Sequence, residues 1–166
     1  MTLFKNNSFT DDAWRALGTD EDVPATGQVI LTLAQWQAKR DSLVGSNLPL
    51  GIQLEPGTPV SAIAADLERF ALIAMNFPKF GDGRGFSIGQ QLREAGFAGE
   101  LRAVGEVLFD QLQYMARCGF DAFDITDANT HKLVAAGRFN TMDVFYQPAI
   151  PVTVAVGTRP WARKAV

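Results

Sequence analysis

Phe70-Ala-Leu-Ile-Ala-Met75 is the longest apolar run in the chain, closed on either side by Arg69 and Asn76. Six residues without polar alternation fit a parallel strand covered on both faces. Working outward, Leu50-Gly-Ile-Gln-Leu54, Leu101-Arg-Ala-Val104 and Ala122-Phe-Asp-Ile125 read as further strands, and a helical period follows each. Thr58-Pro59 predicts a cap and first helical residue, with Val60, Ile63 and Leu67 on the buried stripe. Ser87-Ile-Gly-Gln90 has the spacing of a capping box, opening a helix that buries Ile88, Leu92 and Ala95 and ends at Gly96. Leu108, Leu112 and Met115 line the next helix, which turns Asp110, Tyr114 and Arg117 outward and stops at Gly119. Asp127 caps a last helix ending at Gly137. Upstream, Thr32-Leu-Ala-Gln35 is another capping box, opening a helix with Leu33, Trp36 and Leu43 on one side and a left-handed stop at Gly45. Before it the period is lost, and only Asp11 to Leu17 reads as a short strand.

Strands beginning near residues 50, 70, 101 and 121, each followed by a helix, predict an α/β fold with a parallel sheet and right-handed crossovers. Four consecutive βα units resemble half of a (β/α)8 barrel; an open flavodoxin-like doubly wound sheet is the alternative. Periodicity does not separate the two, because curvature depends on shear and register. Steps near 20 residues favour the half-barrel, whose exposed edge predicts a homodimer. Residues 1–147 form one domain in this reading. Residues 148–166 form a basic, proline-rich arm with a short edge strand at Val152–Val156, since Pro148, Pro151 and Pro160 suit no central strand.

Composition narrows the chemistry. The 166 residues are 47% hydrophobic and 20% charged with a net charge of −3, which describes a folded domain rather than a disordered chain. The charge is uneven: Arg159, Arg163 and Lys164 follow Asp143 with no further acid. No apolar run approaches the roughly 20 residues of a membrane span, and Met1-Thr-Leu-Phe-Lys5 does not open like a signal peptide. The expectation is a cytoplasmic protein. A pI near 5.1 with no basic stripe predicts no nucleic-acid partner. Cys118 is the single cysteine and His131 the single histidine, so one chain cannot build an internal disulfide, a four-cysteine zinc site or a fully protein-held iron–sulfur cluster.

In either fold, functional groups collect where the carboxyl ends of the strands meet the following loops. That edge carries Glu55, Asn76, Lys79, Asp82, Arg84, Glu106, Asp124 and Asp127. Lys79-Phe-Gly-Asp-Gly-Arg-Gly-Phe-Ser87 is the most specific stretch. Gly81, Gly83 and Gly85 permit positive φ and close backbone approach, the helix start offers free N–H groups, and Arg84 supplies a fork for two oxygens of an oxyanion. Ser87 either caps the helix or donates to the anion. The glycine spacing matches neither a dinucleotide fingerprint nor a P-loop, so the stretch reads as an anion loop or as a turn in which Asp82 and Arg84 pair. Arg102 shares a strand face with Glu100; it serves either as a second anion donor at the same mouth or as an internal ion pair. The anion-binding set is therefore Lys79, Asp82, Gly83, Arg84, Ser87 and Arg102. An alternative, enolase-like reading uses Glu55, Glu106 and Asp124 as metal ligands, without an evident lysine base. Cys118 near a helix C-terminus is poorly placed for thiolate formation.

The segments Phe77-Pro-Lys-Phe-Gly-Asp-Gly-Arg-Gly-Phe-Ser87, Gln91-Leu-Arg93, Gly99-Glu-Leu-Arg-Ala-Val-Gly105 and Arg117-Cys-Gly-Phe-Asp-Ala-Phe123 resemble a bacterial family of unknown function encoded beside the sulfite reductase hemoprotein. That family is often labelled an oxidoreductase of sulfite reduction. The resemblance spans about residues 45 to 147 and includes Asp82, Gly83, Arg84, Ser87, Arg93, Glu100, Arg102, Asp110 and Gly119. It implies a place in sulfur assimilation and a sulfite reductase system as partner, without defining catalytic residues or a cofactor. The residues themselves support no self-contained redox chemistry. An accessory role follows, as an oxyanion binder or as a non-catalytic adaptor.

Overall fold

The computed structural model describes residues 2–139; the expectations for the arm at 148–166 lie outside them. The strands are β1 (Leu3–Lys5), β2 (Ser8–Thr10), β3 (Trp14–Ala16), β4 (Gln28–Thr32), β5 (Leu50–Leu54), β6 (Phe70–Phe77), β7 (Glu100–Gly105) and β8 (Ala122–Asp124). The helices are α1 (Leu33–Leu43), α2 (Arg84–Glu94), α3 (Phe109–Arg117) and α4 (Ala128–Ala135). All eight strands join one sheet in the order β2-β1-β8-β7-β6-β5-β4-β3. From β3 to β8 each pair is parallel and neighbours follow chain order. Among the described strands there is thus no reversal of the kind a doubly wound sheet requires. The sheet is mixed rather than wholly parallel, because β1 lies antiparallel to both β2 and β8. Asn6 and Asn7 make that edge hairpin, with φ of 53° and 60°, the left-handed pair a two-residue primed turn needs.

Chain connectivity dictates the curl. β2 and β3 occupy opposite ends of the strand order, yet only Asp11–Ala13 separate them. Four Cα steps reach about 14 Å, whereas a flat eight-stranded sheet is about 34 Å across. The sheet must bend until its two edges approach, giving a curled half-barrel. Its convex face carries the helices over a core that includes Leu31, Trp36, Ile52, Ile73, Met75, Leu92, Leu101, Leu112 and Met115. Its concave face holds a second cluster of Ile30, Leu72 and Ala74, with Trp14 and Val104 against it. The tight hold of α2 depends on small residues: a Cβ on Gly85 would lie 2.7 Å from the Phe77 ring, and one on Gly89 would lie 2.5 Å from Phe120.

Several local expectations hold. Thr32 and Gln35 form the reciprocal capping box of α1, Asp127 caps α4 through the Thr130 N–H, and Gly96, Gly119 and Gly137 take positive φ beyond their helices. Others are corrected. The helix expected after Thr58-Pro59 is a pair of 3₁₀ segments, Val60–Ala62 and Ala64–Arg69. Three residues per turn place Ile63, Asp66 and Arg69 on one side. There Asp66 accepts from Arg40 and Trp36, while Arg69 donates to the carbonyls of Leu43, Ser46 and Leu48. Helix α2 starts at Arg84, so Ser87 lies inside it and forms no capping box; instead Asp82 Oδ1 accepts the Arg84 N–H at 3.3 Å. Ala95 is exposed. Gly45, Gly81, Gly83 and Gly85 do not take positive φ, and α1 closes instead through Ser46 N–H to Leu43 O at 3.1 Å.

Candidate functional site

The carboxyl-terminal edge of the parallel strands is built from the turns after β5 and β6. Arg84, the first residue of α2, donates from Nε and Nη2 to Asp82 Oδ1 and Oδ2 at 2.9 and 2.7 Å. The bond from Arg84 holds the Asp82 carboxyl below its usual range, and Asp82 in turn raises the guanidinium. Arg84 is 65% exposed while Asp82 is 14% exposed. Its remaining nitrogen, Nη1, lies over the next turn, where a Cβ on Gly57 would come within 3.2 Å. That turn, Glu55–Thr58, is closed by Thr58 N–H to Glu55 O at 3.0 Å, with Gly57 at φ 92° behind Pro56, as a type II turn requires. Lys79 and Ser87 are exposed, and the Lys79 carbonyl accepts from Asp82 N–H at 3.0 Å. Lys79, Asp82, Gly83 and Arg84 thus share one compact loop, with Ser87 one turn further along α2.

The three carboxylates of the metal reading are used separately. Glu55 accepts from Gln53 Nε2 at 3.1 Å and from Asn76 Nδ2 at 2.8 Å. Glu106 accepts the Phe80 N–H, and Gln111 donates to the Phe80 carbonyl at 3.1 Å, so α3 and its preceding loop pin the glycine-rich loop at that residue. Asp124 ends β8, paired in register with Leu3. Among the described residues no three His, Cys, Asp or Glu side chains gather closely enough to hold a metal ion. Cys118 is fully buried and burial pushes its thiol up, away from the thiolate that redox exchange needs.

Arg102 turns elsewhere. Its guanidinium donates to Glu100 Oε1 at 2.8 Å and, through both terminal nitrogens, to Asp12 Oδ2 and Oδ1 at 2.6 and 3.1 Å. Lys5 Nζ closes the network on Glu100 Oε2 at 2.6 Å. Burial pulls the Arg102 guanidinium down, but the bond to Asp12 and the charge of Glu100 together hold it above its ordinary value. These groups line a cavity of about 330 Å³ with Asn6, Ser8, Asp11 and Trp14. Arg84 does not line it and shares no hydrogen bond or ion pair with Arg102. The expected convergence of the two arginines at one mouth is not formed, because Glu100 opens β7 and draws Arg102 toward the amino-terminal end of the strands. Asp12 escaped the sequence reading altogether. The Asn6-Asn7 pair between Leu3-Phe4 and Phe9-Thr10 was the signal that could have found its hairpin.

Fold and site define a helix-backed, curled α/β sheet with an ion-paired arginine at each end and, among the described residues, no assembled metal cluster. The chain belongs to a family of bacterial proteins of unknown function, DUF934, whose model matches residues 51–156. The match covers the described residues from Gly51, the second residue of β5, onward. No curated protein matches the chain. In the described residues no helix is long and apolar enough to cross a membrane.

Proposed function

We propose that this protein is a cytoplasmic, homodimeric accessory protein of sulfite reduction that binds a small oxyanion at the carboxyl-terminal edge or docks on the reductase system, and of the two the oxyanion reading has the stronger support. The observation that carries the oxyanion reading is the exposed Arg84 fork, fixed by Asp82 at the start of α2 with Nη1 left outside the Asp82 pair. In this reading Nη1, at the positive end of the α2 dipole, holds the anion oxygens. Asp82 orients the guanidinium, Gly83 leaves the backbone accessible, Ser87 donates its hydroxyl, and Lys79 adds positive charge. An accessory role accords with the buried, single cysteine. The link to sulfite rests on the sequence resemblance alone.

Calorimetry with sulfite, sulfate and phosphate tests the reading. Binding of at least one in the roughly millimolar range, about −4 kcal/mol, and its loss in Arg84→Ala are expected. Failure of the wild-type protein to bind any of the three would overturn it.

A further inference from the structure

Asp11–Ala13 is more than a connector. It crosses between the two edges of the sheet and lowers one carboxylate, Asp12, onto a guanidinium that is 3% exposed. A carboxylate gripped by both terminal nitrogens of a buried arginine has the geometry of a bound oxyanion. Beside it a polar cavity of about 330 Å³ is lined by Lys5, Ser8 and Trp14, within the size range of small-ligand sites, about 300–1,000 Å³. Lys5, Glu100, Arg102 and Asp12 together carry no net charge, with Asp11 on the same wall adding one negative charge, so an external monoanion that displaced Asp12 would leave the total around the buried arginine unchanged.

We infer that Asp12 is a resident surrogate in a second oxyanion site, with Arg102 as its principal donor and the Asp11–Ala13 strap as its gate. The site is distinct from the one proposed at Arg84. Its ligand is a small tetrahedral or pyramidal oxyanion, or a carboxylate of similar size. Arg102 supplies the fork, Lys5 and Ser8 lie on the cavity wall as further donors, and Trp14 forms the apolar side. Glu100 stays in place as the counter-charge that keeps Arg102 and Lys5 aligned. With Asp12 seated the site is self-inhibited, and a ligand enters only by lifting the strap.

Removal of the surrogate is the test. In full-length Asp12→Ala, phosphate and sulfate are expected to bind at least tenfold more tightly than in the wild type. The same variant in an Arg84→Ala background should keep that gain, whereas Arg102→Lys should lose it. Trp14 gives a local readout: a fluorescence change on phosphate addition in Asp12→Ala that vanishes in Asp12→Ala/Trp14→Phe. Should Asp12→Ala be poorly folded, phosphate should restore its cooperative melt where chloride at equal ionic strength does not. Equal phosphate affinity in wild type and folded Asp12→Ala, or equal rescue by chloride, would overturn the inference. Loss of the gain on Arg84→Ala would overturn it equally, by placing the anion at the other end of the sheet.

Discussion

Among the described residues three arginines grip an aspartate with two nitrogens each, Arg102 end-on through both terminal nitrogens and Arg40 and Arg84 side-on through Nε and Nη2, in regions that differ in access to water. Arg102 and Asp12 meet at the inner face of the curl, with the base 3% and the acid 36% exposed. Arg40 and Asp66 meet against the 3₁₀ segment, with the acid 8% and the base 45% exposed. Arg84 and Asp82 meet at the carboxyl-terminal edge, with the base 65% exposed. Coulomb attraction is strong only where water is excluded, and exposed pairs contribute about 0–1 kcal/mol. Bond length therefore does not rank these pairs; burial of the guanidinium does. A buried guanidinium needs a negative partner at all times, whether Asp12 or another anion, while an exposed one has water as an alternative.

The comparison can be broken most easily at its buried end. Arg102→Ala leaves Asp12, Glu100 and Lys5 in an unbalanced cluster, and a loss of about 3–5 kcal/mol is expected, read as a lower urea midpoint. A loss below 1 kcal/mol would show that water reaches the network. At the intermediate pair, Asp66→Asn is expected to cost roughly 1–3 kcal/mol at neutral pH, because Arg40 loses its charged acceptor and an amide NH₂ replaces one of the two accepting oxygens.

That second loss carries a pH signature. The Arg40 bond, with help from Trp36, holds the Asp66 carboxyl below its usual range against the opposing effect of burial. A depressed acid contributes stability that is complete above its unfolded pKa and is lost as pH falls through the lower folded value. The gap between wild type and Asp66→Asn should therefore be full at pH 7 and close below about pH 4. Denaturant melts across that range check the sign.

The smallest expected effect is at the exposed end. Arg84→Ala should change stability by less than about 0.5 kcal/mol while abolishing the oxyanion binding proposed for that edge. A large destabilisation there would mean that Arg84 serves the fold through its contact over the Gly57 turn, and the contrast between the two ends would vanish.

The order and direction of β5 to β8 were legible because each strand is apolar over a length its following helix can cover, and because Gly96, Gly119 and Gly137 mark helix ends. Three other regions were hard to read for different reasons. β1 and β2 are three residues each, too short for a period, and their turn is Asn-Asn rather than the commoner Asn-Gly. β4 hides Val29-Ile30-Leu31 between Gly27 and a capping threonine. The 3₁₀ segments after Pro59 carry a helical apolar spacing, but a buried Asp66 tightens their turn. In the candidate sites, Glu100 was readable as a partner of Arg102 from their two-residue separation on one strand. Asp12, 90 residues away, was not.

Local chemistry alone determined a helix-backed α/β chain with parallel strands, one cysteine, one histidine and a glycine-rich loop whose Asp82 and Arg84 lie two residues apart. Tertiary structure alone decided that the sheet curls, that its amino-terminal hairpin runs antiparallel, and that Arg102 faces Asp12 instead of the mouth beside Arg84. The reason is physical: neighbours within a turn meet whatever the rest of the chain does. A contact between residues 12 and 102 exists only once six parallel strands and an edge hairpin have bent the two ends of the sheet together.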